Sequence, residues 1–348
     1  MNNKIFFLLL VTVIGVGALV GGFLQRQGFS ETQPAYAGND LRARAQETDE
    51  RSWKPAPAAK VFTLTGESPA VPFFGPLRAK LDARGHLFVI DYGDFRIKEF
   101  SPDGRFLRAY GSGKGQGPGE FTSLNDVAIG SDGVWISDYS NGRISVFALD
   151  GRMLRTVKTD PQPYKMALLQ PAGFAVMQPP GAAELFGLFT ADGTRRRTFG
   201  RFLADQAASS LVLDGWLEPD GRGGFVYAGL YASVLAGYDG QGNQRFVAET
   251  LDPIPLPKLI RNDKGVKWVD HEAPPSTISL SVDGGEIHVL RAIPKGLKRS
   301  GGLDVYDLSN GSYRYSRKLP ESCTWVVMAG GHMVTVTDTT VSKWKVGA

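Results

Sequence analysis

Short runs of alternating hydrophobic and polar residues follow one another between residues 77 and 121, and each run ends at a turn signal. The four runs begin at residues 77, 86, 96 and 105. A period of two residues is typical of a half-buried β-strand, and the sequence Pro102-Asp103-Gly104 is typical of a hairpin turn. We therefore expect four antiparallel strands in this stretch.

A second copy of the same pattern starts directly after the first. The residue pairs that are each 47 positions apart are Asp91 and Asp138, Arg96 and Arg143, and Gly104 and Gly151. Four-stranded units that repeat in tandem are the blades of a β-propeller. Weaker copies of the pattern continue to the C-terminus, so the sequence predicts an all-β propeller.

The later units indicate six blades. The third, fourth and fifth units cover residues 164–199, 211–250 and 277–318, and the last unit, from residue 324, has only three strands. The alternating segment at residues 60–65 has no local partner strand. We expect it to supply the missing outer strand of the sixth blade, because an unclosed propeller would leave two sheet edges exposed.

Residues 77–158 resemble the NHL repeat family. The resemblance rests on residues 87–91 (Leu-Phe-Val-Ile-Asp), the core at residues 94–97, the turn at residues 100–104 and the glycine-rich tail at residues 111–121. It implies that residues 111–119 connect two blades. A phosphate-binding loop is the less favoured interpretation, because the run lacks a Gly-Lys-Ser/Thr ending and opens no helix.

The N-terminus carries a targeting signal. Residues 5–24 form an uncharged run of 20 residues, which as a helix would be about 30 Å long and would match a bilayer core. We predict that residues 1–24 are a retained signal anchor, with a cleaved signal peptide as the alternative. Residues 25–57 are polar and irregular and predict a flexible linker, which leaves residues 58–348 for the propeller. The expected location is membrane-anchored and extracytoplasmic, either periplasmic or at the cell surface.

Composition and charge limit the function classes. The chain has 348 residues, is 42% hydrophobic, and has a formal net charge of +4. This modest charge gives no reason to expect nucleic-acid binding. The single cysteine, Cys323, allows no intrachain disulfide. We expect a monomer.

Metal and cofactor chemistry has little support in the sequence. The four histidines show no His-x-His or His-x-x-x-His spacing, so no metal site and no cofactor are predicted. Calcium-dependent six-bladed lactonases of the regucalcin type need acidic ligands on the inner strands, where this chain has Arg78 and Lys165. A metal-dependent lyase or lactonase of the six-bladed type remains the alternative function.

Acidic and basic residues recur at matching places in several blades. Asp91, Asp138 and Asp338 each follow the second strand of a blade, and Arg96 and Arg143 come shortly after the first two. A single active site seldom needs the same pair twice. We therefore predict that these residues brace loops or neighbouring blades.

Two long insertions give the only candidate binding surface. Residues 251–276 and 291–301 emerge on the top face, which carries the loops between the second and third strands of each blade and the connections between blades. The two insertions together hold eight basic and four acidic residues. The predicted ligand-binding residues are Tyr92, Trp268, Arg291, Lys295, Lys298 and Arg299. They predict a binding or scaffold module for an acidic protein surface, an anionic glycan or lipid headgroups.

Overall fold

The computed structural model describes residues 30–37, 43–66, 73, 75–171, 173–179, 182, 184–205, 209–261, 267–269, 275–291 and 300–347. The strands that precede the first blade are β1 (Ser30–Thr32), β2 (Trp53–Lys54) and β3 (Ala59–Thr65). Blade 1 consists of β4 (Pro76–Leu81), β5 (Leu87–Asp91), β6 (Arg96–Phe100) and β7 (Phe106–Tyr110). A short parallel pair follows, β8 (Gly113–Lys114) and β9 (Glu120–Phe121).

The next three blades repeat the same antiparallel order. Blade 2 consists of β10 (Asp126–Gly130), β11 (Gly133–Asp138), β12 (Arg143–Phe147) and β13 (Met153–Lys158). Blade 3 consists of β14 (Lys165–Leu168), β15 (Phe174–Met177), β16 (Phe186–Phe189) and β17 (Arg195–Phe199). After the helix α1 (Ser209–Val212), blade 4 consists of β18 (Gly215–Pro219), β19 (Phe225–Gly229), β20 (Val234–Tyr238) and β21 (Gln244–Glu249).

An insertion and two further blades complete the ring. The insertion contains β22 (Leu259–Arg261) and β23 (Lys267–Val269). Blade 5 consists of β24 (Thr277–Asp283), β25 (Glu286–Arg291), β26 (Ser300–Asp307) and β27 (Tyr313–Cys323). Blade 6 consists of β28 (Trp325–Ala329), β29 (His332–Val336) and β30 (Thr340–Lys345), with β3 as its outer strand. The predicted six-bladed fold and its closure by the N-terminal strand are confirmed.

A separate apolar cluster lies between each pair of neighbouring blades. Phe88 of blade 1 packs with Val127 of blade 2 in one of these clusters, and Leu87 of blade 1 packs with Val334 of blade 6 in another. The other neighbouring pairs are joined in the same way. Both faces of the middle strands are therefore buried, which explains why β5 and β11 are buried at every position.

Glycine is required at the repeated hairpin. Gly104 and Gly151 have φ angles of 90° and 95°, in the left-handed region that favours glycine. A Cβ atom added at Gly104 would also lie 2.8 Å from the Phe62 ring of β3. The repeated turn thus places blade 1 against the closing strand.

The N-terminal segment runs along the outside of the propeller. We call its described residues, 30–37 and 43–57, the belt. β1 pairs with β22 of the insertion, Arg44 forms a parallel bridge with Ala248 of β21, and β2 pairs in parallel with β27. The belt therefore contacts blades 4 and 5 before the chain enters blade 6. These residues fall within the predicted linker 25–57, and the domain boundaries stay a prediction.

The structure does not describe the predicted membrane segment. Residues 5–24 lie outside the described residues. Within the described residues, no helix has the length and hydrophobicity needed to cross a membrane. The signal anchor stays a prediction.

Candidate functional site at the channel mouth

The inner strands of the six blades bring polar and aromatic residues to the top of the central channel. These strands are β4, β10, β14, β18, β24 and β28. Each inner strand starts on the top face, so the residues at or next to its start lie around the channel mouth. They are Arg78, Asp126, Lys165, Trp216, Thr277 and Trp325.

Arg78 lies beside two tryptophan rings. Its Cζ atom is 5.6 Å from the ring centroid of Trp216 and 5.8 Å from that of Trp325, both within cation–π range. The two rings meet edge to face with centroids 4.9 Å apart. Their indole nitrogens donate hydrogen bonds to the carbonyl oxygens of Thr277 and Ala79, at 3.1 and 3.2 Å. These bonds fix the rings on which the guanidinium rests.

The hydrogen-bond partners of Arg78 are carbonyl groups. Its Nη2 atom donates to the carbonyl oxygens of Asn125 and Leu124, and the Tyr92 hydroxyl also donates to Leu124. No carboxylate among the described residues lies within 4.0 Å of Arg78, although the side chain is half-buried. Arg78 is therefore a partly desolvated cation whose direct hydrogen-bond partners, among the described residues, are carbonyl groups.

Lys165 differs from Arg78 because it has a counter-ion. Its Nζ atom lies 2.6 Å from Oδ1 of Asp214 and 4.1 Å from the centroid of the Trp216 ring. Burial lowers the pKa of Lys165, and the charge of Asp214 opposes that shift. The same carboxylate, together with burial, raises the pKa of Tyr164. We call Arg78, Tyr92, Tyr164, Lys165, Asp214 and Trp216 the axial cluster.

The remaining charges near the axis hold the blades together. Lys80 and Glu218 form an ion pair between blades 1 and 4 below the mouth, and burial raises the pKa of Glu218 against the opposing effect of Lys80. The two carboxylate oxygens of Asp126 accept from the backbone N–H groups of Val127 and Met166, at 2.9 and 3.0 Å. Both acidic groups are therefore occupied by contacts within the protein.

The structure separates the binding residues predicted from sequence. Tyr92 lies in the axial cluster, whereas Arg291 lies 5.9 Å from the ring centroid of Trp53 in the belt. A Cβ atom added at Gly302 would be 2.9 Å from Nε of Arg291, so Arg291 extends across the outer part of blade 5. The structure does not describe the side chains of the other predicted binding residues, which are Trp268, Lys295, Lys298 and Arg299.

Sequence reasoning missed Tyr164, Asp214 and Trp216 as site residues. It noted Arg78 and Lys165, but only as cations that oppose calcium binding. The signal in the sequence was position, since each of these residues lies directly before an inner strand or among its first three residues. Their residue types alone do not distinguish them from ordinary core and surface residues.

In blade 2, Asp138 and Arg143 brace loops, as predicted. Arg143 donates at 2.7 Å to the carbonyl oxygens of Gly117 and Glu120 in the glycine-rich connector. Asp138 accepts from the backbone N–H of Ser123 at 2.9 Å. In blade 1, Asp91 pairs with Lys98 at 2.6 Å, and the exposed Arg96 side chain forms no hydrogen bond or salt bridge with another described residue. The bracing prediction is wrong for Arg96, because Lys98 takes its place beside Asp91.

His86 and His288 lie in surroundings typical of residues with a structural role. His86 Nδ1 lies 2.6 Å from the buried carboxylate of Glu99, and His288 is buried in β25. Among the described residues, no three histidine, cysteine, aspartate or glutamate side chains lie close enough together to hold a metal ion. The absence of a cofactor stays a prediction.

Comparison with known proteins agrees with the fold. Residues 79–179 match a family model described as a 6-bladed beta-propeller. No curated protein matches the chain. The NHL resemblance is not confirmed by this family model and stays a prediction.

Solved structures show the same architecture at low sequence identity. A Bacteroides fragilis protein has a TM-score of 0.59 at 8% identity over 85% of this chain and 99% of its own. A member of the duf4221 family from Bacteroides vulgatus has a TM-score of 0.57 at 9% identity, over 82% of this chain and 95% of its own. Virginiamycin B lyase from Staphylococcus aureus has a TM-score of 0.52 at 11% identity, over 82% and 99%. At these identities the likeness extends to the fold alone.

Proposed function

We propose that the protein is an extracytoplasmic binding or scaffold module that holds an anionic group of its ligand at the mouth of the central channel. The observation that carries this proposal is the environment of Arg78. Its guanidinium lies at the axis, half-buried beside Trp216 and Trp325, with no carboxylate of the described residues within 4.0 Å.

Such a guanidinium favours an anionic ligand on physical grounds. A cation that has lost part of its hydration gains more from an added counter-ion than an exposed one does. The planar guanidinium also presents several N–H donors that fit a carboxylate or phosphate. Near it, the half-buried rings of Tyr92 and Tyr164 offer aromatic surface and hydroxyl groups for the rest of the ligand. The ligand group is therefore an anion attached to an organic body.

The location is part of the proposal. The uncharged run at residues 5–24 supports a membrane anchor, and an anchored propeller on the extracytoplasmic side would meet acidic proteins, anionic glycans and lipid headgroups. Fractionation of cells, followed by protease treatment of intact cells or spheroplasts, tests it. Recovery of the full chain in the soluble cytoplasmic fraction would refute the anchored location.

Calorimetric titration of the full-length protein with carboxylated, phosphorylated and sulfated sugars and with acidic peptides tests the binding function. The variant Arg78→Met keeps the length of the side chain and removes its charge, so we expect at least tenfold weaker binding and a flatter salt dependence. Arg152→Met is the matched control, because it removes the same charge from an exposed turn of blade 2 between its two outermost strands. Absence of binding to every anion by the unmodified protein would reject the proposal.

A second set of variants separates the channel mouth from the predicted basic insertion. Replacing Lys295, Lys298 and Arg299 together with serine removes three charges from the insertion. If this triple variant loses binding and Arg78→Met does not, the anion binds at the insertion. Retained binding in the triple variant, together with its loss in Arg78→Met, places the anion at the axis.

The metal-dependent lyase or lactonase alternative has weaker support. The inner strands carry Arg78, Lys80 and Lys165, and a cation site would need anionic ligands in their place. Elemental analysis of the purified protein addresses this alternative. Stoichiometric, tightly bound calcium or zinc would favour the enzyme.

A further inference from the structure

The belt shows that the outer edge of a blade in this protein accepts an added extended segment. In blade 5, β2 lies parallel to the outer strand β27 and makes its sheet five-stranded. In blade 4, Arg44 forms a parallel bridge with Ala248 of the outer strand β21. Arg51 fastens the belt beside them through Asp304 and Asp252. Backbone pairing and a charged side chain thus act together at these edges.

Among the described residues, no added segment covers the outer strand of blade 3. β17 is the last strand of its sheet, and no described segment pairs along its outer edge. The first three residues of β17 are Arg195, Arg196 and Arg197, and all three are exposed. Near blade 3, the described part of the belt pairs only with residues beyond the end of β17, where Tyr36 forms a bridge with Leu203.

The positive charge continues onto blade 2. The turn before β17 lies against the end of β13, since a Cβ atom added at Gly193 would be 2.4 Å from the carbonyl oxygen of Lys158. Arg155 and Lys158 of β13 are both exposed, and Arg155 Nη2 lies 3.8 Å from Oδ2 of the exposed Asp132. We call Arg155, Lys158, Arg195, Arg196 and Arg197 the basic edge. Its residues belong to two outer strands that contain no acidic side chain.

An irregular register between β16 and β17 directs basic side chains to both sides of β17. The pairing of β16 with β17 shifts between Leu188 and Phe189, so Arg195 and Arg197 pair with adjacent residues. Arg195 Nη1 donates to the carbonyl oxygen of Asp160 of the blade 2 connection at 3.4 Å, and Arg197 Nη1 donates to that of Gln241 in blade 4 at 2.9 Å. Both partners are carbonyl groups, so neither arginine is neutralised there.

We propose that the outer edge of blade 3 is a docking site for an extended acidic segment of another protein, which adds to β17 as a fifth strand. Its backbone would pair with the outward N–H and C=O groups of β17, and its carboxylates would pair with Arg195 and Arg197. The edge of a second copy is an unsuitable partner, because like charges would face each other across the new pair. A polypeptide fits better than a membrane or a polysaccharide, since only a polypeptide satisfies the open backbone groups.

Fluorescence anisotropy with a defined probe tests this site. The probe is a labelled peptide of about ten residues, the length of a long strand, that repeats Glu-Glu-Val-Val and so presents carboxylates on both faces when extended. We expect the full-length protein to bind it and the double variant Arg195→Gln/Arg197→Gln to bind at least tenfold more weakly. The double variant Arg96→Gln/Arg105→Gln removes the same charge from exposed positions on blade 1 and should bind normally.

Two further measurements distinguish strand addition from simple charge attraction. Bound probe should slow amide hydrogen exchange in residues 195–199. The same peptide with every valine replaced by proline should not bind, because proline lacks the N–H donor. Equal binding of both peptides would overturn the proposal. Equal weakening by the two double variants would overturn it as well. Preferential binding to heparin or to vesicles with phosphatidylserine, lost in Arg195→Gln/Arg197→Gln, would assign the edge to a polyanion or a membrane and also reject the peptide site.

Discussion

Thr63 and Ser342 join the two ends of the propeller, with their hydroxyl oxygens 3.1 Å apart across β3 and β30. The two residues are 279 positions apart in the chain. On the same strand, Phe62 and Leu64 pack against the apolar cluster between blades 6 and 1. The stability of the whole ring therefore depends on a strand supplied from the N-terminal side.

The first prediction concerns this closing strand. Phe62→Ala should lower the free energy of unfolding by roughly 2–3 kcal/mol, less than for a fully buried phenylalanine because Phe62 is only partly buried. Val61→Ala is the control, because Val61 is 44% exposed, and its effect should stay within about 0.5 kcal/mol. Urea unfolding followed by circular dichroism measures both.

Deleting residues 58–66 tests the closure as a whole. The deletion removes the outer strand of blade 6 and should lower the melting temperature far more than Phe62→Ala does. An unchanged melting temperature after the deletion would contradict the role of β3 in closure.

The fold could be predicted from the sequence because the patterns that indicate it are local and repeated. Gly104 and Gly151 lie in equivalent hairpin turns, and the spacing between them marks the period of the repeat. The isolated strand at residues 60–65 was matched to blade 6 by counting strands. Neither inference needed a contact between residues far apart in sequence.

The residues of the channel mouth were harder to predict from the sequence, because they come together only in the closed ring. Arg78 and Trp216 belong to blades 1 and 4 and meet only when all six inner strands surround one axis. The contacts of the belt also lack a hydrophobic pattern. Gln46 Nε2, for example, donates to the carbonyl oxygens of Glu249 and Gly311 at 2.6 and 3.1 Å. Polar side chains that bond to a distant backbone look like linker residues in the sequence.

The second prediction separates two arginines that occupy matching places in blades 1 and 2. Arg143→Ala should lower stability by about 1–3 kcal/mol, because the carbonyl oxygens of Gly117 and Glu120 would lose a charged donor. Arg96→Ala should change stability by less than about 0.5 kcal/mol, because its side chain is exposed. Chemical denaturation of the two variants measures the difference, and equal losses would show that the repeat position itself matters.

The third prediction concerns the attachment of the belt. Burial would lower the pKa of Arg51, but its hydrogen bonds to Asp304 and Asp252 raise that pKa overall. Arg51→Met should destabilise the protein by about 1–3 kcal/mol, because the carboxylate of Asp304 stays buried without its cation. It should also speed proteolytic cleavage within residues 43–57, which can be followed by mass spectrometry.

Asp252→Asn is the control for the belt. This carboxylate is 56% exposed in its pair with Arg51, so its loss should cost no more than about 1 kcal/mol. If Asp252→Asn and Arg51→Met released the belt equally, the buried contact with Asp304 would not be the main attachment.

The last prediction concerns stability at acidic pH. Burial lowers the pKa of His288 to about 4, against an ordinary value of 6.5. The charges of Glu286 and Asp283 oppose this shift without reversing it, and the charge of Arg317 adds to it. Unfolded chains therefore bind a proton at this position at a higher pH than folded ones. The stabilising contribution of neutral His288 is complete above pH 6.5 and is lost as the pH falls from 6.5 to about 4. This loss amounts to roughly 3 kcal/mol.

Urea unfolding of the unmodified protein at several pH values across this interval should show falling stability with acid. In His288→Gln the slope should be smaller, even if the variant is less stable at every pH. His332→Gln is the control, because His332 lies at a turn where its Nδ1 faces the carbonyl oxygen of Gly330, and this variant should keep the slope of the unmodified protein. Identical slopes in the unmodified protein and His288→Gln would mean that His288 does not cause the loss of stability in acid.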